Sequence, residues 1–452
     1  MKKLFVVIAL LLIAGVAAAW YFMRDTDNGR DVLPENATSV LVFEPLELFK
    51  GLGLEASDFK ALPSEVAEIF EAIDLAKPIY AFTTESSQFG VSLSLKDADK
   101  FLKTLNSNGF DSEEKEGLRW FGNNQAIACI DNDKLLLMEA SSNQDALQTE
   151  MSGLMKQNKK SVPILASIKK SGFLRFSTAL DKLPKEVLNE LPADINLSDA
   201  RLNAALSLGK KDITLAAALQ TPKPLMEEEL LQPIKGNLSG IGPADPIFSL
   251  STNLNGEKLL ELLRKQPQLR TALLGLNLVI DADMILKAID GDVSIVVPTL
   301  DTRKPEVLLT ATLANTDFLK NADNWKDVRK MDASNFVASY EGIDTYFGVK
   351  NGLLYLSSSQ RLVDNACEKT DVSLPNAKGK RMLVSVNAGQ IIKNYPAIAM
   401  MFVAMPQLRE SVEAIDGITL SADTQQSFEL SLKTNKPVKD IVGNLKTLVT
   451  GK

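Results

Sequence analysis

Two stretches of this chain, 216 residues apart, carry the same succession of side chains, and that repetition limits the possible folds more than any other feature. AIDLAKPIYAF from Ala72 to Phe82 is answered by AIDGDVSIVV from Ala288 to Val297, and FGVSLSLKDADKFLK from Phe89 to Lys103 by VLLTATLANTDFLK from Val307 to Lys320. Ile73 maps to Ile289 and Phe101 to Phe318, offsets of 216 and 217. Tandem duplication leaves such near-constant offsets, so the body is expected to be one unit of roughly 210 residues used twice.

The likeness continues into a hairpin, with Glu116-Gly117 and Trp120-Phe121-Gly122 matched to Glu341-Gly342 and Tyr346-Phe347-Gly348. Polar pairs then mark tight turns at Asn132-Asp133 and Asn351-Gly352. Further on, Pro163 to Ile168 is matched to Met382 to Val386, and the strand pairs 200–208 and 213–220 to 417–422 and 427–434. Strands joined by hairpins and interrupted by single helices predict an α+β fold, a tandem duplication of a unit with antiparallel sheets and helices packed on one face. The expected boundaries are 33–236 for repeat one, with sub-units 33–155 and 161–236, and 242–452 for repeat two, with sub-units 242–374 and 381–452. A Gly- and Pro-rich stretch near Gly236 to Pro246 separates them.

Ahead of the body, Lys2 and Lys3 precede an apolar run from Leu4 to Met23, about 30 Å long as a helix and thus of membrane-spanning length. Residues 1–24 are read as a signal or membrane anchor and 25–32 as a polar linker. The lysines before the run and Asp25, Asp27 and Asp31 after it predict a cytoplasmic N-terminus and a body on the periplasmic side, held at the inner membrane by residues 4–23. Ala17, Ala18 and Ala19 would suit signal-peptide cleavage, whereas Trp20 and Tyr21 suit an interfacial anchor, and both readings stay open.

Composition excludes several functions. The chain has no histidine, which removes Ser-His-Asp, Cys-His and His-zinc chemistry together. A net charge of −7 leaves no basic footprint for nucleic acid. Cys129 and Cys367 are too few for a disulfide framework, and are read as a buried strand residue and a helix residue. No cofactor or metal site is expected.

Carboxylate pairs remain chemically open, and Asp281, Asp283, Asp290 and Asp292 are the candidates. They sit at predicted element ends, where aspartate caps helices and shapes turns. Ser167 to Lys170 fits a Ser-x-x-Lys spacing without its companion motifs, and Gly51-Leu52-Gly53 lacks the third glycine of a dinucleotide loop and reads as a helix end.

Leu33-Pro34-Glu35-Asn36-Ala37, the strand from Val40 to Glu44, and Ile73-Asp74-Leu75-Ala76-Lys77-Pro78-Ile79-Tyr80 together resemble an uncharacterised family of envelope proteins from Bacteroidetes. Many members of that family are lipoproteins, and this chain departs from them in having no lipid-acceptor cysteine near the apolar run. The resemblance implies a compartment and no residue roles.

One segment stands apart. From Pro396 to Met405 no side chain is charged or polar, and Met400, Met401, Phe402 and Met405 form the expected apolar contact. The stretch matched to it in the first copy, Phe173 to Leu183, reads as an amphipathic helix carrying Arg175, Asp181 and Lys182. The functional expectation is a non-catalytic envelope protein binding a partner protein or an apolar molecule. The alternative is a carboxylate-dependent envelope hydrolase.

Overall fold

The computed structural model describes residues 32–35, 37–52, 64–86, 88–107, 110, 112–156, 172–182, 199–221, 230–243, 245–277, 280–299, 306–340, 343–364, 367–368, 377–395, 406–424 and 426–441. The apolar run 4–23, the linker 25–32 up to Asp31, Ser167 to Lys170 and Pro396 to Met405 lie outside them. Among the described residues no helix is long and apolar enough to cross a membrane.

The chain divides into two compact units, residues 1–225 with 436–452, and residues 226–435. In the first, the described strands are β1 (Ser39–Phe43), β2 (Ile79–Thr83), β3 (Phe89–Ser94), β4 (Ser112–Lys115), β5 (Leu118–Gly122), β6 (Ala126–Asp131), β7 (Lys134–Glu139), β8 (Leu174–Ala179), β9 (Arg201–Leu208) and β10 (Asp212–Gln220). They pair antiparallel in the order β4-β5-β6-β7-β3-β2-β1-β8-β9-β10. The helices among the described residues are α1 (Pro45–Leu52), α2 (Ser64–Ala72), α3 (Ala98–Ser107) and α4 (Gln144–Lys156).

The second unit has β11 (Phe248–Asn255), β12 (Ile289–Thr299), β13 (Glu306–Leu313), β14 (Val328–Lys330), β15 (Asn335–Tyr340), β16 (Ile343–Lys350), β17 (Leu353–Ser357), β18 (Met382–Val386), β19 (Ile415–Thr424) and β20 (Ser427–Thr434). Its order is β14-β15-β16-β17-β13-β12-β11-β18-β19-β20, again antiparallel throughout. Counted from each unit's first strand, the two orders are the same. Helices α5 (Gly256–Lys265), α6 (Pro267–Asn277) and α7 (Ala282–Ala288) join β11 to β12, α8 (Gln360–Asp364) follows β17, and α9 (Ala388–Asn394) and α10 (Pro406–Glu413) lie between β18 and β19. The architecture is α+β.

Turn chemistry accounts for the hairpins. Glu116-Gly117 closes β4 onto β5 with φ of 57° and 75°, and Asn351-Gly352 closes β16 onto β17 with φ of 53° and 75°. Both pairs thus have the positive φ at two central residues that a right-twisted two-residue hairpin demands. Strand order separates two motifs that the sequence aligns. Glu116-Gly117 falls between β4 and β5, while Glu341-Gly342 falls between β15 and β16, one strand further along the shared order.

Alternation along the strands gives each sheet two faces. In the first unit both are covered. Phe43, Ile79, Val91 and Leu93 pack with Leu48, Phe49 and Leu52 of α1, Ile69 and Phe70 of α2 and Phe101 of α3. On the opposite face Val40, Val42, Tyr80, Phe82 and Leu136 pack with Leu147, Met151 and Met155 of α4 and with Val32 and Leu33. Helices therefore sit on both faces and not on one, because the central strands of this unit are apolar on both sides. Val438, read as part of the second copy, is fully buried in the core of the first, its N–H donating to the Lys210 carbonyl.

The expected helix from Phe173 to Leu183 is instead strand β8 and a 3-10 turn, Leu180–Lys182. β8 lies between β1 and β9, and its buried side carries Arg175 and Ser177 while Leu174 and Phe176 stay partly exposed, so hydrophobic alternation does not mark its inner face. Arg175 tolerates burial there because it pairs with Glu44, which follows β1. β8 holds the place in its sheet that β18 holds in the other, a place that the sequence alignment gives to Pro163 to Ile168. Cys367 lies in a turn beyond α8, not in a helix.

Candidate functional site

Hydrogen-bond register brings residues distant in sequence into rows across each sheet. In the second unit one row reads Val297, Phe248, Val386, Ile418 and Leu432. The next reads Leu356, Leu309, Ile295, Leu250, Val384, Leu420 and Leu430, crossing seven strands and, at about 4.8 Å per strand, about 29 Å of sheet. Every one of these twelve side chains is apolar and none is fully buried. Leu356, Leu430 and Phe428, the last on the same side of β20, are exposed.

The other face of this sheet buries polar side chains among apolar ones. Ser249, Ser294, Thr310, Ser357 and Ser421 point to that side and are buried, beside Val296, Leu308, Tyr355 and Leu383. Leu309 packs against the core of Ala311, Leu354 and Phe318, and the partly exposed remainder of the rows gains free energy from an apolar cover, since each large aliphatic side chain gains about 1.5–3 kcal/mol on full burial.

The equivalent rows of the first unit differ. The first reads Thr83, Ser39, Thr178, Leu202 and Leu219, with the Ser39 and Thr178 hydroxyls 2.6 Å apart. The second reads Leu137, Val91, Ala81, Leu41, Phe176, Ala204 and Ala217. Three hydroxyl positions of the first unit are thus Val297, Phe248 and Val386 in the second, and three alanines are Ile295, Leu420 and Leu430. The wide apolar face belongs to the second unit.

Met400, Met401, Phe402 and Met405 lie outside the described residues, between α9 and α10 in the connection from β18 to β19. The equivalent connection of the first unit, from β8 to β9, includes Lys185, Glu186 and Glu190 in its sequence. By strand order the segment 396–405 corresponds to this connection and not to Phe173 to Leu183, which the sequence matches to it.

The four aspartates do not share one environment. Asp281 caps α7, accepting from the Met284 N–H at 3.3 Å. Asp283 takes the Arg264 guanidinium and the Asn277 amide, at 2.9 Å for the latter. Burial raises its carboxyl, but the hydrogen bonds from Asn277 and Arg264 outweigh that and hold it below the ordinary aspartate value. Asp290 is exposed at the start of β12.

Asp292 is only 2 % exposed, and it is no turn residue. Its carboxylate accepts the Lys235 N–H at 2.8 Å, the Asn237 N–H at 2.7 Å and the Asn253 amide at 2.9 Å, fastening the segment before β11 to the sheet. Gly291, with φ of 129°, allows the irregularity in β12 that precedes it. A cavity of about 150 Å³ lies alongside, lined by Lys235, Gly236, Ser251, Asp292, Ser294 and Lys378 among others. Sequence reasoning missed this role because an Asp-Gly-Asp triplet is an ordinary turn signal.

Neither cysteine offers a nucleophile at neutral pH. Burial, with Asp131 nearby, pushes the Cys129 thiol up to about 12, and burial pushes Cys367 up to about 11. Among the described residues no three acidic or thiol groups are placed to hold a metal ion.

A family model described as Domain of unknown function (DUF4836) matches residues 51–436. The chain belongs to the DUF4836 family. No curated protein matches this DUF4836 chain. Among solved structures it is similar to TP0453 in crystal form I, at 13% identity over 44% of this chain and 81% of that one with a TM-score of 0.31, and in crystal form III, at 15% identity over 44% and 80% with a TM-score of 0.32. The DNA polymerase sliding clamp of Pseudomonas aeruginosa aligns over 88% of this chain and 99% of its own at 11% identity, with a TM-score of 0.10.

Proposed function

We propose that this DUF4836 protein is a duplicated, non-catalytic component of the cell envelope, and that its second unit carries an apolar molecule of acyl-chain character on the two open rows of its sheet. The observation that supports this most is the set of twelve aliphatic and aromatic side chains, Val297 to Leu432 and Leu356 to Leu430, aligned on one face and none of them fully buried. Taking each from partial to full burial contributes roughly 1 kcal/mol, so a long apolar ligand has several kcal/mol to draw on before it loses its own freedom. A flat hydrophobic platform also asks for no directional chemistry, which suits a chain without histidine.

In this reading the apolar run 4–23 holds the body at the outer side of the inner membrane, as the resemblance to envelope proteins from Bacteroidetes suggests. Identical strand order in the two units supports duplication, with the copies having diverged in polarity on the open face. The hydrolase alternative is weakened by the aspartates, since Asp281, Asp283 and Asp292 are each engaged in holding the fold.

The test is mass spectrometry of organic extracts of the full chain, purified in a detergent easily exchanged. Acyl-chain compounds in near-stoichiometric amount that survive detergent exchange are expected. An extract indistinguishable from that of an unrelated single-anchor protein, handled identically, overturns the reading.

A further inference from the structure

We infer that α6 of the second unit, with the end of α5, is a docking surface for an anionic lipid bilayer. This rests on an observation separate from the open sheet face. Of the eleven residues of α6 only Leu273 is buried. Leu269, Leu274 and Leu276 are 46%, 62% and 50% exposed, and Leu262 of α5 is 38% exposed. Leu269, Ala272 and Leu276, at i, i+3 and i+7, form one apolar stripe beside the buried seam, a pattern that a helix standing in water has no reason to keep.

Charge selects the occupant. From Leu262 to Asn277 the chain carries Arg264, Lys265 and Arg270 and not one carboxylate, although the whole protein has a net charge of −7. Arg264 is held by Asp283, while Lys265 and Arg270 extend into solvent beside the leucines. An exposed leucine stripe bordered by cations is the arrangement that lies in a bilayer interface, apolar side chains among the acyl chains and cations at the phosphates. A protein partner taking the same leucines would be indifferent to lipid charge, and the experiment separates the two.

Cys129 and Cys367 are both buried, so a cysteine introduced at the surface of the full chain can be labelled alone. Leu276→Cys, carrying an environment-sensitive fluorophore, is reconstituted in phosphatidylcholine vesicles with or without phosphatidylglycerol and with a nitroxide on the lipid chains. Thr271→Cys, on the far side of α6, serves as the comparison. Blue-shifted emission and nitroxide quenching are expected at position 276, far less at 271, and only with the anionic lipid. Lys265→Gln and Arg270→Gln should each weaken the quenching response about fivefold, the equivalent of one interfacial cation. The inference is overturned if position 276 stays as open to an aqueous quencher in anionic vesicles as in neutral ones. It is overturned equally if protection of 276 persists in detergent without lipid, which would assign the patch to a protein contact. Unchanged thermal melting of each variant shows that the response belongs to the surface and not to the fold.

Discussion

Replacing Asp292 by alanine should destabilise the second unit by about 3–5 kcal/mol, more than any other single aspartate change considered. The carboxylate receives three N–H donors, two of them main-chain groups at Lys235 and Asn237 and the third the Asn253 amide. Hydrogen bonds to a charged acceptor are worth about 1.5–3 kcal/mol each, and a buried donor left without a partner costs about 1–3 kcal/mol. The adjoining cavity of about 150 Å³ admits water, which offsets part of that loss and sets the lower figure. At about 2–4 °C per kcal/mol for a unit of this size, the melting transition should fall by roughly 10 °C. Asp292→Asn keeps one oxygen for Lys235 and Asn253 but turns an amide N–H toward that of Asn237, so an intermediate loss of about 2 kcal/mol is expected. Hydrogen exchange read by mass spectrometry gives the local signature, with faster exchange at the amides of Lys235 and Asn237 and little change in the first unit. The reasoning fails if Asp292→Ala melts with the wild type and those amides keep their protection.

Three further outcomes follow from the same geometry. Glu44→Ala removes the carboxylate paired with the buried Arg175 and should cost about 3–5 kcal/mol in chemical denaturation, whereas the double replacement Glu44→Leu with Arg175→Met should recover most of it; equal stability of the single and double variants would contradict this. Because the folded carboxyl of Asp283 lies below its unfolded value, its contribution is complete above about pH 4 and is lost as pH falls through the lower folded value. Asp283→Asn should therefore flatten the acid limb of a stability profile and leave no new pH dependence at neutrality. With thiols raised to about 12 and about 11, Cys129 and Cys367 should resist maleimide in the native protein and react fully in denaturant, and native labelling of either would show that its burial is wrong.

The antiparallel α+β class was readable because turn pairs and strand-centre residues recur along the chain, and the two units share one strand order, as the proposed duplication requires. Three things were not readable, each for a physical reason. β8 reads as a helix because Phe173, Leu174, Phe176 and Leu180 fit helical spacing, while the strand buries the polar Arg175, Ser177 and Thr178 and leaves Leu174 and Phe176 partly exposed. The pairing of Arg175 with Glu44 joins residues far apart in the chain, and only the register of β1 against β8 brings them together. The open apolar rows are assembled from seven strands, so no window of sequence contains them. The Met-rich segment 396–405 drew attention by its composition, while the side chains forming the broad face, such as Leu250, Val384 and Leu420, are unremarkable in their own strands.

The central claim, that the open rows of the second unit hold an apolar molecule, is tested most directly by giving them the polarity of the first. Phe248→Ser, Val297→Thr and Val386→Thr together install the side chains found at Ser39, Thr83 and Thr178, which β-strands at those places already accept. Equilibrium binding of a radiolabelled long-chain fatty acid to the detergent-exchanged full chain should weaken by about tenfold or more, since 1.4 kcal/mol, less than two buried methylenes, accounts for each factor of ten. The melting temperature should stay near that of the wild type, because the substituted side chains are only partly buried. Unchanged fatty-acid affinity in the folded triple variant would contradict the account.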